Sequence, residues 1–235
     1  MNLENLARLN KARHQRQACI LVTDLSTGAD RLVIEGEPLD GALGAELGRR
    51  FGSGTSGSVE IEGQTLFLNV HLPPPSIVVI GAVHITQALQ VMAPVAGFDM
   101  RVIDPRTAFA TPERFAGADL VADWPEDALK GRPLDAYTAL VAVTHDPKID
   151  DFPIIEALRA GCFYVGALGS RKTHGRRVER LLAEGLTMEQ IGRISAPIGL
   201  DIGAATPAEI AVSVLADIIQ ALRRRKRSDV TEIVA

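Results

Sequence analysis

The segment Val165-Gly166-Ala167-Leu168-Gly169-Ser170-Arg171-Lys172-Thr173-His174 runs from an apolar stretch through a glycine turn into a dense set of cations. It predicts a buried strand, a tight turn and a helix start, with Arg171, Lys172, His174, Arg176 and Arg177 in the first two helical turns. The amino end of a helix is already the positive end of its dipole, so cations there are unfavourable. A bound anion reverses that sign, because free backbone N–H groups and basic side chains then converge on it. Gly169, Ser170, Arg171 and His174 are therefore candidates for holding a phosphate-bearing ligand. A solvated basic helix face explains the same residues without a ligand.

A second candidate follows the first strand after the triple proline, where the chain reads Ile80-Gly81-Ala82-Val83-His84-Ile85-Thr86. A dinucleotide fingerprint places glycine, glycine and a small residue where Gly81, Val83 and Thr86 stand. Two of the three positions depart from it, so the turn is Rossmann-like with an obstructed pyrophosphate cradle. Asp104 ends the next strand, where a ribose-binding acid would sit, and Arg106 would favour a phosphorylated ribose. Asp104-Pro105-Arg106 reads equally as a turn with a solvent arginine.

Thr144-His145-Asp146-Pro147 closes a later strand, and ligands of open α/β sheets bind beyond such carboxyl ends. His84, Asp104, His145, Asp146 and the Gly169-Ser170-Arg171 turn are thus expected around one crevice, although Asp146 also suits a cap on the next segment. The two histidines and two carboxylates lie on separate loops, and no dedicated metal site is expected. The apolar, glycine-rich run Ala196-Pro197-Ile198-Gly199-Leu200-Asp201-Ile202-Gly203 is expected to pack across the crevice mouth, bringing Gly199 and Asp201 to the site. Thr206-Pro207-Ala208-Glu209 reads as a capping box, which makes Glu209 structural. No G-x-S-x-G, H-E-x-x-H or P-loop is present.

The elements that would position these residues divide at Pro73-Pro74-Pro75. Residues 1–72 mix helical and strand periods and predict a small α+β domain, with strands at Ala18–Val22 and Arg31–Ile34 and a hairpin around Glu62-Gly63. Residues 73–76 read as a linker. From 77 to 227 strands and helices alternate: a strand at Ile77–Ile80, a helix over His84–Ala96 and a strand at Met100–Ile103. A short strand lies near Leu120, then a strand over Tyr137–Thr144, a helix over Phe152–Ala160 and a strand over Phe163–Leu168. The fold class is α/β, a Rossmann-like doubly wound parallel sheet preceded by a small α+β domain. The basic run Arg223–Arg227 is read as the end of the last helix, and 228–235 as a tail.

Composition narrows the function classes. Hydrophobic residues are 46%, charged residues 23% and aromatics 4% of 235, so the core must rest on Ala, Val, Ile and Leu. A net charge of −4 gives no drive toward nucleic acid or membrane surfaces. No secretory pattern is read in Asn2–Gln17, and no apolar run approaches the roughly 18 residues of a membrane helix. Cys19 and Cys162 have no metal-ligand or CxxC spacing, which fits a reduced, cytoplasmic setting. The thin core of the small domain makes a homodimer reasonable.

Together these motifs resemble the XdhC/CoxI family, accessory proteins that mature xanthine and carbon monoxide dehydrogenases. The matching pieces are Val79-Ile80-Gly81-Ala82 with His84, Val102–Arg106, Thr144-His145-Asp146, Tyr164–Arg171, Pro197–Gly203 and Thr206–Ala211. The resemblance implies a cofactor-binding chaperone rather than an enzyme. Such a protein binds molybdenum cofactor (molybdopterin), delivers it to a molybdenum hydroxylase apoenzyme and cooperates with a cofactor sulfurase. The phosphate would lie at Gly169, Ser170, Arg171 and the following basic residues, with His145, Asp146 and Asp201 on the pterin side. The chain departs from the family at Val83, where glycine is usual, at Ser58, where a cysteine is usual, and at Ser195, where a histidine is expected. An NAD(P)-dependent oxidoreductase is the rival reading; Asp104 favours it, and Val83 and the missing acid–base pair oppose it.

Overall fold

The computed structural model describes residues 2–231, with side chains through Arg224. The chain forms two compact units, the first made of residues up to Pro73 together with the chain from Arg223, the second of Pro74–Leu222.

The first unit begins with helix α1 (Leu3–His14), capped by Asn2, whose side chain accepts from the Asn5 N–H at 2.7 Å. Strands β1 (Cys19–Asp24) and β2 (Asp30–Ile34) pair antiparallel, followed by helix α2 (Gly41–Ser53). Strands β3 (Gly57–Ile61) and β4 (Gln64–His71) form the expected hairpin. Its two-residue loop, Glu62-Gly63, takes positive φ at both positions, which matches the twist of the flanking strands. The sheet order is β2-β1-β4-β3. Alternation along β1 sends Ile20 and Val22 into one core with Leu47 of α2, and Cys19 and Leu21 into another with Leu9 of α1.

The second unit holds a six-stranded parallel sheet in the order β10-β9-β8-β5-β6-β7. Its strands are β5 (Ser76–Ile80), β6 (Asp99–Ile103), β7 (Asp119–Val121), β8 (Thr138–Ala142), β9 (Tyr164–Ala167) and β10 (Ile194–Ser195). Helix α3 (His84–Val95) follows β5, α4 (Pro125–Gly131) follows β7, and α5 (Pro147–Arg159) follows β8. Then come α6 (Arg171–Ala183), α7 (Met188–Ile191) and α8 (Pro207–Thr231). Both sheet faces are covered, which is why β5 and β8 are continuous apolar runs. Val78, Ile80 and Leu140 face a core with α5 and α6; Ile77, Val79 and Val141 face one with α3 and α8. Among the described residues no helix is long and apolar enough to cross a membrane.

The sheet bears out the doubly wound reading, with local differences. Helix α5 begins at Pro147 rather than Phe152: Asp146 caps it, accepting from the Lys148 N–H at 3.0 Å, and proline is pre-set for a first helical position. Pro147 and Pro153 look like breakers in sequence, which hides the helix start. The capping box at α8 is present, with Glu209 accepting from the N–H groups of Ala205 and Thr206. Helix α8 continues through Thr231, past the basic run read as its end. The side chains of Arg225, Lys226 and Arg227, and residues 232–235 of the tail, lie outside the described residues.

Candidate functional site: a basic cleft beside the switch point

Strand order reverses between β5 and β8, because chain after β5 leaves toward one edge of the sheet and chain after β8 toward the other. A crevice opens at such a point. Gly81 sits in it with φ +123°, and a Cβ there would lie 3.0 Å from Thr144 Cγ2 and 3.2 Å from Val143 Cγ2. Only glycine allows the ends of β5 and β8 this close. The third fingerprint position is not a misfit. Thr86 is fully buried, and its hydroxyl donates to the Gly81 carbonyl at 2.5 Å, tying α3 to the turn. Val83 precedes α3 without a side-chain cap hydrogen bond and packs against the core of that face, and His84 is exposed.

Asp104, wholly buried, faces this turn. Its Oδ2 accepts from the Ala82 N–H at 2.7 Å and from Arg106 Nη2 at 2.7 Å; its Oδ1 accepts from the Arg106 N–H and Nε, each at 2.9 Å. Burial pushes its pKa up, but these bonds outweigh burial and hold the carboxyl below its usual range. Arg106 lies over the Phe109 ring, 4.7 Å from its centroid. Arg106, for which a ribose phosphate and solvent were the two alternatives, is thus a partner of Asp104.

At the end of β8, His145 adopts φ +66°, a region that favours glycine. Its N–H donates to Asp150 Oδ2 at 3.1 Å, which holds the strained turn. Asp150 is 1% exposed, and its Oδ1 accepts from Thr144 Oγ1 at 2.7 Å. Burial is the main cause that raises its pKa to about 6; the bonds from Thr144 and His145 and the charge of Arg177 act the other way. Asp146 serves as the α5 cap.

The start of α6 faces α5 across a cleft of about 380 Å³. Gly169, φ +133°, makes the turn, and Ser170 caps α6, accepting from the Thr173 N–H at 3.2 Å. The cations in the cleft are Lys172, Arg176, Arg177 and Arg180, set against Asp150 and Asp151, with His145 and Thr173 also on its wall. Arg180 is held by both oxygens of Asp151. Arg177 is 3% exposed; its Nη2 donates to the Leu168 carbonyl at 3.0 Å, and its Nε and Nη1 are buried without partners. Burial lowers its pKa, and Asp150 and Asp151 oppose that shift. Arg171 is exposed and does not line the cleft, and neither does His174, whose pKa burial lowers.

The loop after β10 packs on the sheet. Ile198 joins the α3–α8 core over Gly166, where a Cβ would come within 2.7 Å of Ile198 and Tyr164. Gly199, φ +87°, abuts Ser213 of α8, and the Leu200 N–H donates to the Ser213 carbonyl at 3.2 Å. Asp201 is exposed and, like Gly199, does not line the α5–α6 cleft. Ser195 donates to Asp217 at 2.7 Å, and Tyr164 donates to the same oxygen at 2.9 Å.

The structure thus gathers Gly81 and Asp104 at the switch point, and His145 with the second turn of α6 in the cleft. Sequence reasoning missed Asp150; of the cations it named at the start of α6, Lys172, Arg176 and Arg177 line the cleft and Arg171 does not. A helix start read at Pro147 would have put Asp150 in its first turn.

The profile of the XdhC Rossmann domain matches residues 77–218, more than half of the chain. The chain belongs to the XdhC family. Within it, this XdhC chain is 34% identical over 160 residues to a probable xanthine dehydrogenase subunit of Bacillus subtilis (strain 168), covering 68% of the chain and 46% of that protein. It is 33% identical over 161 residues to the protein YqeB of Escherichia coli (strain K12), covering 66% of the chain and 29% of the relative. Over 86 residues it is 37% identical to the molybdenum cofactor insertion chaperone PaoD of Escherichia coli (strain K12), covering 36% of the chain and 27% of PaoD. The matched region therefore spans less than half the length of each of these relatives. A crystal structure of a xanthine dehydrogenase from Bacillus halodurans superposes with a TM-score of 0.61 at 25% identity, covering 94% of this XdhC chain and 65% of that one.

Proposed function

We propose that this chain is a maturation factor for a molybdenum hydroxylase of the xanthine or carbon monoxide dehydrogenase type. It binds molybdenum cofactor as cargo in the crevice beyond the carboxyl ends of β5, β8 and β9, and aids delivery to the apoenzyme. The observation that carries the reading is the basic cleft beside the switch point of an XdhC Rossmann domain. The residues present suit the cargo. The cations of α6 meet its phosphate, and the unfilled N–H groups of Arg177 call for an acceptor. The names of PaoD and of the Bacillus subtilis relative support the same assignment. A cofactor sulfurase is a further partner in this scheme, and a homodimer its assembly. A reduced, cytoplasmic setting accords with Cys19 and Cys162, both buried free thiols.

The rival, an NAD(P)-dependent oxidoreductase, needs a free acid for the ribose hydroxyls, and Asp104 has none of its acceptor sites open. Anaerobic equilibrium binding of molybdenum cofactor, with NADP as competitor, tests the assignment. Saturable binding that NADP does not displace is expected. Binding of NADP alone would move the chain to the oxidoreductases, and binding of neither would leave a scaffold that only docks a partner.

A further inference from the structure

Arg177 is an incomplete cation. It is 3% exposed, yet two of its three nitrogens have no partner. A guanidinium offers five N–H donors, and leaving buried charged donors unfilled is costly. Asp150, the buried carboxylate of the same cleft, acts on Arg177 by charge alone, because its hydrogen bonds come from Thr144 and His145. Above this buried pair the rim is exposed: Lys172 and Arg176 stand there, with no ion pair among the described residues. The four cations of the cleft, Lys172, Arg176, Arg177 and Arg180, outnumber its carboxylates, Asp150 and Asp151, by two.

We infer that the α5–α6 cleft is a receptor for a phosphate monoester dianion, with Arg177 as its buried anchor and Lys172 and Arg176 as its rim. A dianion balances the cleft, whereas a phosphodiester leaves one cation uncompensated. The tetrahedral oxygens supply the acceptors that Nε and Nη1 lack, and the helix start adds its positive dipole end. The chemistry fits the terminal phosphate of the cofactor or free inorganic phosphate. Only the first identity rests on the maturation-factor reading; the anion site itself does not.

The test is calorimetric titration of the full chain with inorganic phosphate, phenyl phosphate and the diester methyl phenyl phosphate at low ionic strength. Saturable binding of the first two, and weaker binding of the diester, is expected. Tighter binding of phenyl phosphate than of phosphate assigns the site to an ester, and the reverse assigns it to the free ion. Arg177→Gln should weaken binding about 10- to 100-fold, the range for hydrogen bonds to a charged group. Should that variant fail to fold, the exposed double change Lys172→Glu with Arg176→Glu keeps the test open, and it should abolish binding with an unchanged thermal melt. No saturable binding by the native chain, equal binding of the diester, or indifference to the rim reversal would each overturn the inference. Loss of phenyl phosphate binding without loss of cofactor binding would leave the anion site standing and remove the cofactor from this cleft.

Discussion

Asp104 and Arg106 close on each other two residues apart in sequence, and Arg106 fills three of the four acceptor positions of the buried carboxylate. The fourth goes to the Ala82 N–H, so one acid locks the glycine turn to the end of β6. In a dinucleotide-binding domain the acid at this place serves the ribose; here it is a structural clamp.

Two outcomes are expected from that clamp. Asp104→Ala should destabilise the chain by on the order of 2–4 kcal/mol, below the full range for a broken buried pair because Arg106 is partly exposed. Urea unfolding measures it. Val83→Gly removes the obstruction at the turn but leaves Asp104 saturated, so no NAD binding should appear in fluorescence titration. Tight NAD binding by that variant would refute the clamp.

Asp150 makes stability depend on pH. Its pKa is about 6 in the folded chain against roughly 3.9 for an unperturbed aspartate, so the folded state binds the proton more tightly. Stability is therefore expected to fall as pH rises from about 4 to 6, by on the order of 3 kcal/mol across that window. Asp150→Asn should lose that slope in denaturant titrations over the same range. A slope that persists in the variant would place the titration elsewhere.

The same carboxylate should couple anion binding to protons, since its charge opposes a bound anion. Sulfate, which stays a dianion throughout, is the suitable probe, and its affinity for the native chain should drop as pH rises through about 6 and Asp150 loses its proton. The groups facing Asp150 are Arg177, Lys172, Arg176 and Arg180 from α6, Asp146 and Asp151 from α5, His145 from the β8 turn and Arg106 beyond β6. His145 is the imidazole among them, so His145→Gln is the control. The drop should survive His145→Gln and vanish in Asp150→Asn.

Gly166 tests how the loop after β10 is held. An added Cβ meets Ile198 and Tyr164, so Gly166→Ala should destabilise by about 1–3 kcal/mol, the usual range for overpacking. Ile198→Ala vacates part of that space. The double variant should be more stable than the sum of the single effects predicts, because the two sites share one contact. Simple additivity would show that the loop moves away freely.

Much of the fold was legible because its signals are local. The apolar run Ile77–Ile80 announces a strand buried on both faces, and Thr206-Pro207-Ala208-Glu209 announces a helix start. Both depend on residues within one turn or one strand. The start of helix α5 was hidden, five residues ahead of Phe152, because proline at 147 reads as a breaker until its cap, Asp146, is seen to accept from Lys148. The basic run after Gly169 was legible as a cationic helix start, but not which of its cations share a pocket.

Residue order alone determined the alternation of strand and helix, the strained glycine turns at Gly81 and Gly169 and the cationic start of α6, since periodicity, backbone freedom and charge are properties of short segments. The tertiary structure decided the rest. Burial at the junction of β8, α5 and α6 gathered Asp150 and Arg177, left Arg171 and Asp201 in solvent, and closed Asp104 onto Arg106. Those outcomes depend on which faces of distant segments meet, and solvent exclusion at that meeting is what turns ordinary charged residues into a site.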